Sequence, residues 1–164
     1  MSRRPVLCFL ATVALVASVS ASSQAVQPPQ MQGWTTLQGN SGLAVDYPAG
    51  LFPVDAGPTE KGKGQKFRSA DGAYEFAAYS LPNAEKDSPA RYLRKNLIVP
   101  PESLIYRRVT EQFFVMSSIR EGRIFYSRCN FLLGIHCIYL EYPQEEKRAF
   151  DAIVTRVSTS LRPR

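Results

Sequence analysis

Cys129 and Cys137 enclose a short segment that also carries Asn130 and His136, the single histidine of the 164-residue chain, with Arg128 just before it. Two thiols and an imidazole are common raw material for redox or metal chemistry, so their spacing decides what they can do. Seven residues separate the cysteines. That is neither the C-x-x-C of a dithiol oxidoreductase nor a zinc-ligand pair, and one histidine cannot supply the missing ligands. The pair reads as a structural disulfide, which needs an oxidising compartment. A three-residue turn over 132–134, with Gly134 in the left-handed conformation, sets Phe131 opposite Ile135 and Cys129 opposite Cys137. The same register puts Arg128, Asn130 and His136 on one face at the hairpin end. There a guanidinium, an amide and an imidazole suit an anion or a carboxylate.

No other grouping supplies a nucleophile beside a base, a carboxylate pair or a metal cluster. Asp46, Glu75 and Asp151 are scattered along the chain and read as strand-face or helix-surface charges. Lys61-Gly62-Lys63-Gly64 has the composition of a phosphate loop but not the G-x-x-x-x-G-K-[ST] spacing, and it reads as part of a solvated loop from Pro53 to Gly64. Tyr and Phe alternate along strands without the interleaved basic residues of an RNA-binding sheet, so no nucleic-acid partner is expected. No cofactor motif and no metal site are read.

The N-terminus sets the compartment in which the thiols would act. Arg3 and Arg4 precede an apolar run from Val6 to Val19, about 14 residues against the roughly 20 of a spanning helix, which is the pattern of a signal peptide. Val19-Ser20-Ala21 offers a cleavage site, so 1–21 reads as a signal peptide and the exported chain starts near Ser22. Cys8 precedes most of the apolar run and is not a lipoprotein cysteine. A Gln-, Pro- and Ser-rich leader over 22–33 leads into one domain over 34–164, long enough for a single core and with no internal repeat. No transmembrane segment remains after cleavage. Loss of Arg3 and Arg4 lowers the net charge from +6 to +4, a mildly basic balance compatible with anionic partners and with ordinary solubility.

Local patterns position the cysteine segment within that domain. Leu43, Val45 and Tyr47 alternate with Ala44 and Asp46 as a first half-buried strand ending at Pro48, and Trp34 reads as packing at the core's edge. Asp71-Gly72 turns a hairpin between Phe67 and the alternating Tyr74, Phe76 and Ala78. Ser88-Pro89 starts a helix that Pro100-Pro101 ends, with Leu93 and Leu97 on one face and Arg91, Arg94 and Lys95 on another, where they could touch an anionic surface. Leu104 to Tyr142 reads as a four-stranded antiparallel meander in which Ile124, Tyr126, Ile138, Leu140 and Tyr142 share a face. Phe150, Ile153, Val154, Val157 and Leu161 recur at helical spacing, opened by Glu145 and Glu146 and closed by Arg162 and Arg164. The sum is a single α+β domain, an antiparallel sheet of about six to seven strands flanked by helices.

Gly42-Leu43 through Tyr47-Pro48, Asp71-Gly72, Phe125-Tyr126, Leu140 to Pro143, and Phe150-Asp151 running to Ser160-Leu161 resemble a family of small exported bacterial proteins of unknown function. That family is similar in layout to the Mog/PsbP-like fold, shared by the extrinsic photosystem II protein PsbP and the Ran-binding import factor Mog. Both namesakes bind larger partners without known chemistry, so the resemblance implies a non-catalytic periplasmic or secreted binding or assembly-accessory domain, with an envelope protein or an anionic envelope component as partner. It carries over no functional residue. The alternatives are a hydrolase-like envelope enzyme and a peripheral binder of anionic membrane or lipopolysaccharide through Arg91, Arg94 and Lys95. N-terminal sequencing of the protein recovered from its host tests the export reading. A start near Ser22 is expected, and soluble cytoplasmic chains still starting at Met1 would refute it.

Overall fold

The computed structural model describes residues 33–39, 42–97 and 99–164. Residues 1–21, read as a signal peptide, and nearly all of the segment read as a leader lie outside the described residues. The strands and helices run β1 (Trp34–Gly39), β2 (Leu43–Pro48), β3 (Val54–Pro58), β4 (Lys63–Arg68), β5 (Glu75–Leu81), α1 (Pro89–Asn96), β6 (Leu104–Val109), β7 (Phe113–Arg120), β8 (Arg123–Phe131), β9 (Ile135–Pro143), α2 (Lys147–Ser160) and β10 (Arg162–Pro163). Seven strands form one antiparallel sheet in the order β3-β4-β5-β9-β8-β7-β6, and β1-β2-β10 form a small second sheet. This is the expected α+β domain, and the meander β6 to β9 lies where its polar interruptions place it.

Side chains alternate across a strand, so the large sheet presents two faces, and both are covered. On one, Phe76, Ala78, Val115, Ile124, Tyr126, Ile138, Leu140 and Tyr142 meet Phe150, Ile153 and Val157 of α2 and Leu43, Val45 and Tyr47 of β2. Tyr142 stacks on Phe150 with ring centres 4.4 Å apart, and Tyr47 stacks on Phe67 and Phe76 at 5.0 Å. On the other face, Phe114, Met116, Cys129, Ile135 and Cys137 pack beneath Leu93 of α1, with Tyr92 and Leu97 at the margin. Ser88 starts α1 as expected, its hydroxyl accepting from the Arg91 N–H, which satisfies a donor that has no partner within the helix.

Four local expectations need correction. The segment from Pro53 to Gly64 is not one loop but β3, a turn and the start of β4. It lacks apolar alternation because β3 is an edge strand with little to bury, and its Gly57, Pro58 and a register shift between Asp55 and Pro58 are typical edge features. Lys63-Gly64 therefore belongs to β4, where a Cβ on Gly64 would lie 2.1 Å from the Ala78 carbonyl oxygen. The first strand is β1, not β2; its WTTLQG sequence, half exposed and half partly buried, pairs with β2 from Trp34 opposite Pro48 to Gly39 opposite Leu43. The C-terminal helix stops at Ser160, and Arg162–Pro163 pairs with β2 rather than closing the helix.

Gly134 is the fourth correction. It is not among the glycines with positive φ. Its small size serves a close approach to β5, since a Cβ there would sit 3.0 Å from the Leu81 carbonyl oxygen. The predicted register nonetheless holds, with Phe131 opposite Ile135 and Cys129 opposite Cys137, and the two sulfurs are 1.99 Å apart. Intact mass without reduction should show the bridge. Replacing both cysteines by alanine should lower stability by about 2–3 kcal/mol in denaturant titration and leave the fold in place, because the closed loop is short. Two alkylatable thiols in the folded, exported protein would contradict the bridge.

Candidate functional site

Pairing of β8 with β9 puts Asn130 opposite His136 and Arg128 opposite Ile138, so Arg128, Asn130 and His136 do share a face. It is the face that carries α2. Arg128 donates from Nε to Asn130 Oδ1 at 2.9 Å and reaches Ser158 Oγ at 3.4 Å, with its guanidinium 4.4 Å from the Phe113 ring centre. Asn130 Nδ2 donates to the Leu161 carbonyl at 3.0 Å, satisfying an acceptor just beyond α2. The amide is thus committed to closing the helix, and the three side chains do not converge on one point.

His136 turns to a different partner. Its Nδ1 lies 2.8 Å from the Ser80 hydroxyl, because β5 pairs with β9 in the register that sets Ser80 opposite His136. His136 is 7% and Ser80 6% exposed. An open groove of about 620 Å³ runs past them, lined by Lys63, Leu81, Leu133, Arg164 and this pair. Among the described residues no Asp or Glu side chain lines it, and no three His, Cys, Asp or Glu side chains gather as a metal site. Burial pushes the imidazole below its ordinary value of 6.5, so His136 is neutral at pH 7. When Ser80 donates to Nδ1, Nε2–H remains as a donor for a ligand. Ser80 carries no local sequence signal; only the long-range strand register brings it to His136.

The basic face of α1 is largely neutralised. Arg91 pairs with Asp87 at 3.0 Å, and Lys95 pairs with Asp87 at 2.9 Å and Glu85 at 2.6 Å. Both acids come from the loop that precedes the helix, and their carboxylates raise the Lys95 pKa. Arg94 makes no ion pair among the described residues. Two of the three cations read as an anionic-surface contact are therefore already partnered.

No protein-family model matches the sequence, and no curated protein matches it. Among solved structures, the chain is similar to the solution structure of cyanobacterial PsbP (CyanoP) from Synechocystis sp. PCC 6803, with a TM-score of 0.61 over 88% of this chain and 100% of that one. The fold is PsbP-like. At 9% identity the likeness concerns the path of the backbone and assigns no side-chain role.

His136 makes stability depend on pH. The folded state binds its proton more weakly than the unfolded chain, so its contribution is present above pH 6.5 and lost as pH falls through the lowered folded value. Denaturant titrations should show wild type more stable than His136→Gln at pH 7 and the gap narrowing toward pH 5. A gap that stays constant would show that the imidazole does not titrate in this window.

Proposed function

We propose that the chain is a non-catalytic binding or assembly-accessory domain of an exported protein, acting in the periplasm or after secretion on an envelope protein or anionic envelope component. The observation that carries this reading is the groove beside β9. Leu133 stands fully exposed on its rim, at 104% relative accessibility, next to the half-exposed Leu132, and Leu81, Pro82 and Pro163 continue the apolar lining toward Arg164. An exposed leucine on the rim of an apolar groove is what a docking surface offers, and a neutral imidazole with a guanidinium adds a place for an anionic group. The PsbP-like backbone supports the reading by analogy of layout.

One observation favours the hydrolase alternative: a serine hydroxyl in hydrogen-bond contact with an imidazole. The pair lacks what would make it a catalyst. No carboxylate of the groove orients the ring, and the Ser80 hydroxyl is buried where a substrate carbonyl would have to reach it.

Purified protein offered esterase, phosphatase, glycosidase and peptidase substrates should show no turnover. Envelope extracts should yield a partner that wild type retains and Leu133→Asp loses while keeping its circular dichroism spectrum. Turnover that copurifies with wild type and vanishes in both Ser80→Ala and His136→Ala would overturn the binding reading in favour of the hydrolase. Retention lost with rising salt and insensitive to Leu133→Asp would point instead to an anionic surface.

A further inference from the structure

The two edges of the large sheet are not alike. β3 is broken by Gly57, Pro58 and a register shift. β6 has no proline or lysine, its only irregularity lies between Leu104 and Tyr106, and Tyr106 to Val109 pair regularly with β7. Among the described residues its outer side has no strand neighbour, so alternate backbone N–H and C=O groups there face away from the sheet. The side chains are open too, with Leu104, Ile105 and Tyr106 37%, 44% and 49% exposed.

A cleft flanks β6 on each face, and each contains two arginines. On the α2 side, a cleft of about 310 Å³ is lined by Tyr106, Arg108, Phe113, Arg128, Thr155 and Thr159. On the α1 side, one of about 220 Å³ is lined by Leu93, Arg94, Leu97, Leu104, Arg107 and Met116. Neither cleft has an Asp or Glu in its lining, and none of these four arginines makes an ion pair among the described residues. Arg108 and Arg128 share the Phe113 ring, at 5.5 and 4.4 Å from its centre. The Arg128 pKa is lowered, first by burial and also by Arg108. Two guanidiniums on one aromatic ring carry a mutual repulsion that an anion between them would relieve. Glu102 and Glu111 lie beyond the two ends of β6 and bound the basic stretch.

We propose that β6 receives an extended acidic segment of a partner protein, which adds as an eighth strand and places carboxylates in the clefts of Arg108 with Arg128 and of Arg94 with Arg107. Strand addition explains the pairing of features. Backbone hydrogen bonds at the edge supply affinity, and successive side chains of an extended chain point to opposite faces. Acidic residues at adjacent positions therefore enter opposite clefts, while apolar neighbours meet Ile105 and Tyr106. This surface is separate from the groove beside His136, so loss of binding at Leu133 leaves it standing.

The test is selection of random octapeptides displayed on phage against the folded protein, with the winners synthesised and mapped by amide hydrogen exchange and NMR shifts. Enrichment of adjacent Asp or Glu is expected, with slowed exchange confined to β6. Arg107→Glu with Arg108→Glu should weaken binding by about tenfold or more, as reversal of two charge contacts implies. These side chains are exposed and, among the described residues, make no side-chain hydrogen bond or ion pair, so the variant should keep its melting temperature to within a few degrees. Alternate N-methylation of the peptide, which removes strand pairing and leaves its charge unchanged, should abolish binding. Winners without acidic residues, no winners at all, binding indifferent to N-methylation or to the charge reversal, or protection around His136 instead of β6 would each overturn the proposal. Anionic phospholipid vesicles serve as the parallel probe. If they bind through the same arginines and no acidic peptide is selected, the proposal is overturned in favour of a lipid surface.

Discussion

β9 is covered on both faces, and that double burial governs the rest of the molecule. From Ile135 to Ile138 every residue of the strand is buried, so each side chain must be apolar or be given a partner inside the protein. Ile138, Leu140 and Tyr142 meet α2, Ile135 and Cys137 pack on the α1 side, and the strand itself is fixed between β5 and β8. His136 and Cys137 are neighbours in sequence and therefore point to opposite faces. The imidazole is satisfied by Ser80 on one side and the sulfur by Cys129 on the other. The two residues with the most chemical potential in the chain are thus held apart by the pleat, and cannot act together.

Where a feature rests on neighbouring residues, the sequence reads it well. Ser88-Pro89, the Asp71-Gly72 turn, the meander and the Cys129 hairpin register all follow from spacings of a few residues, and each is found in the fold. The misread segments are those whose structure is conferred from a distance. β1, β3 and β10 are short or exposed edge strands without apolar alternation, so only their partners make them strands. Arg162 reads as a helix end because cations favour that position, and it does donate to the Ser160 carbonyl at 2.8 Å, yet its backbone forms β10 and pairs with β2.

The site was legible to the same degree. The hairpin register puts Arg128, Asn130 and His136 on one face, but neither the Ser80 contact, across 56 residues, nor the closure of α2 by Asn130 is encoded nearby. Periodicity alone places Arg91 and Lys95 outward and available. Asp87 and Glu85 reach them from a loop whose conformation no helical pattern describes. Arg107 and Arg108 carry no signal of their own inside a β-like run, since a strand's position at the edge of a sheet is a property of topology rather than of its own residues.

The small sheet has a consequence for how the protein is made. β2 is its middle strand, with β1 from the start of the domain on one side and β10 on the other. The junction is reinforced by the Asp46 N–H donating to Ser160 Oγ at 2.9 Å and by Arg162 beside the Asp46 carboxylate at 3.4 Å. These contacts span more than a hundred residues, so a nascent chain emerging N-terminus first holds β2 half-paired until residues 160–163 are delivered. That segment acts as a latch on β2. Until it arrives β2 has a single partner strand, and its arrival completes the small sheet.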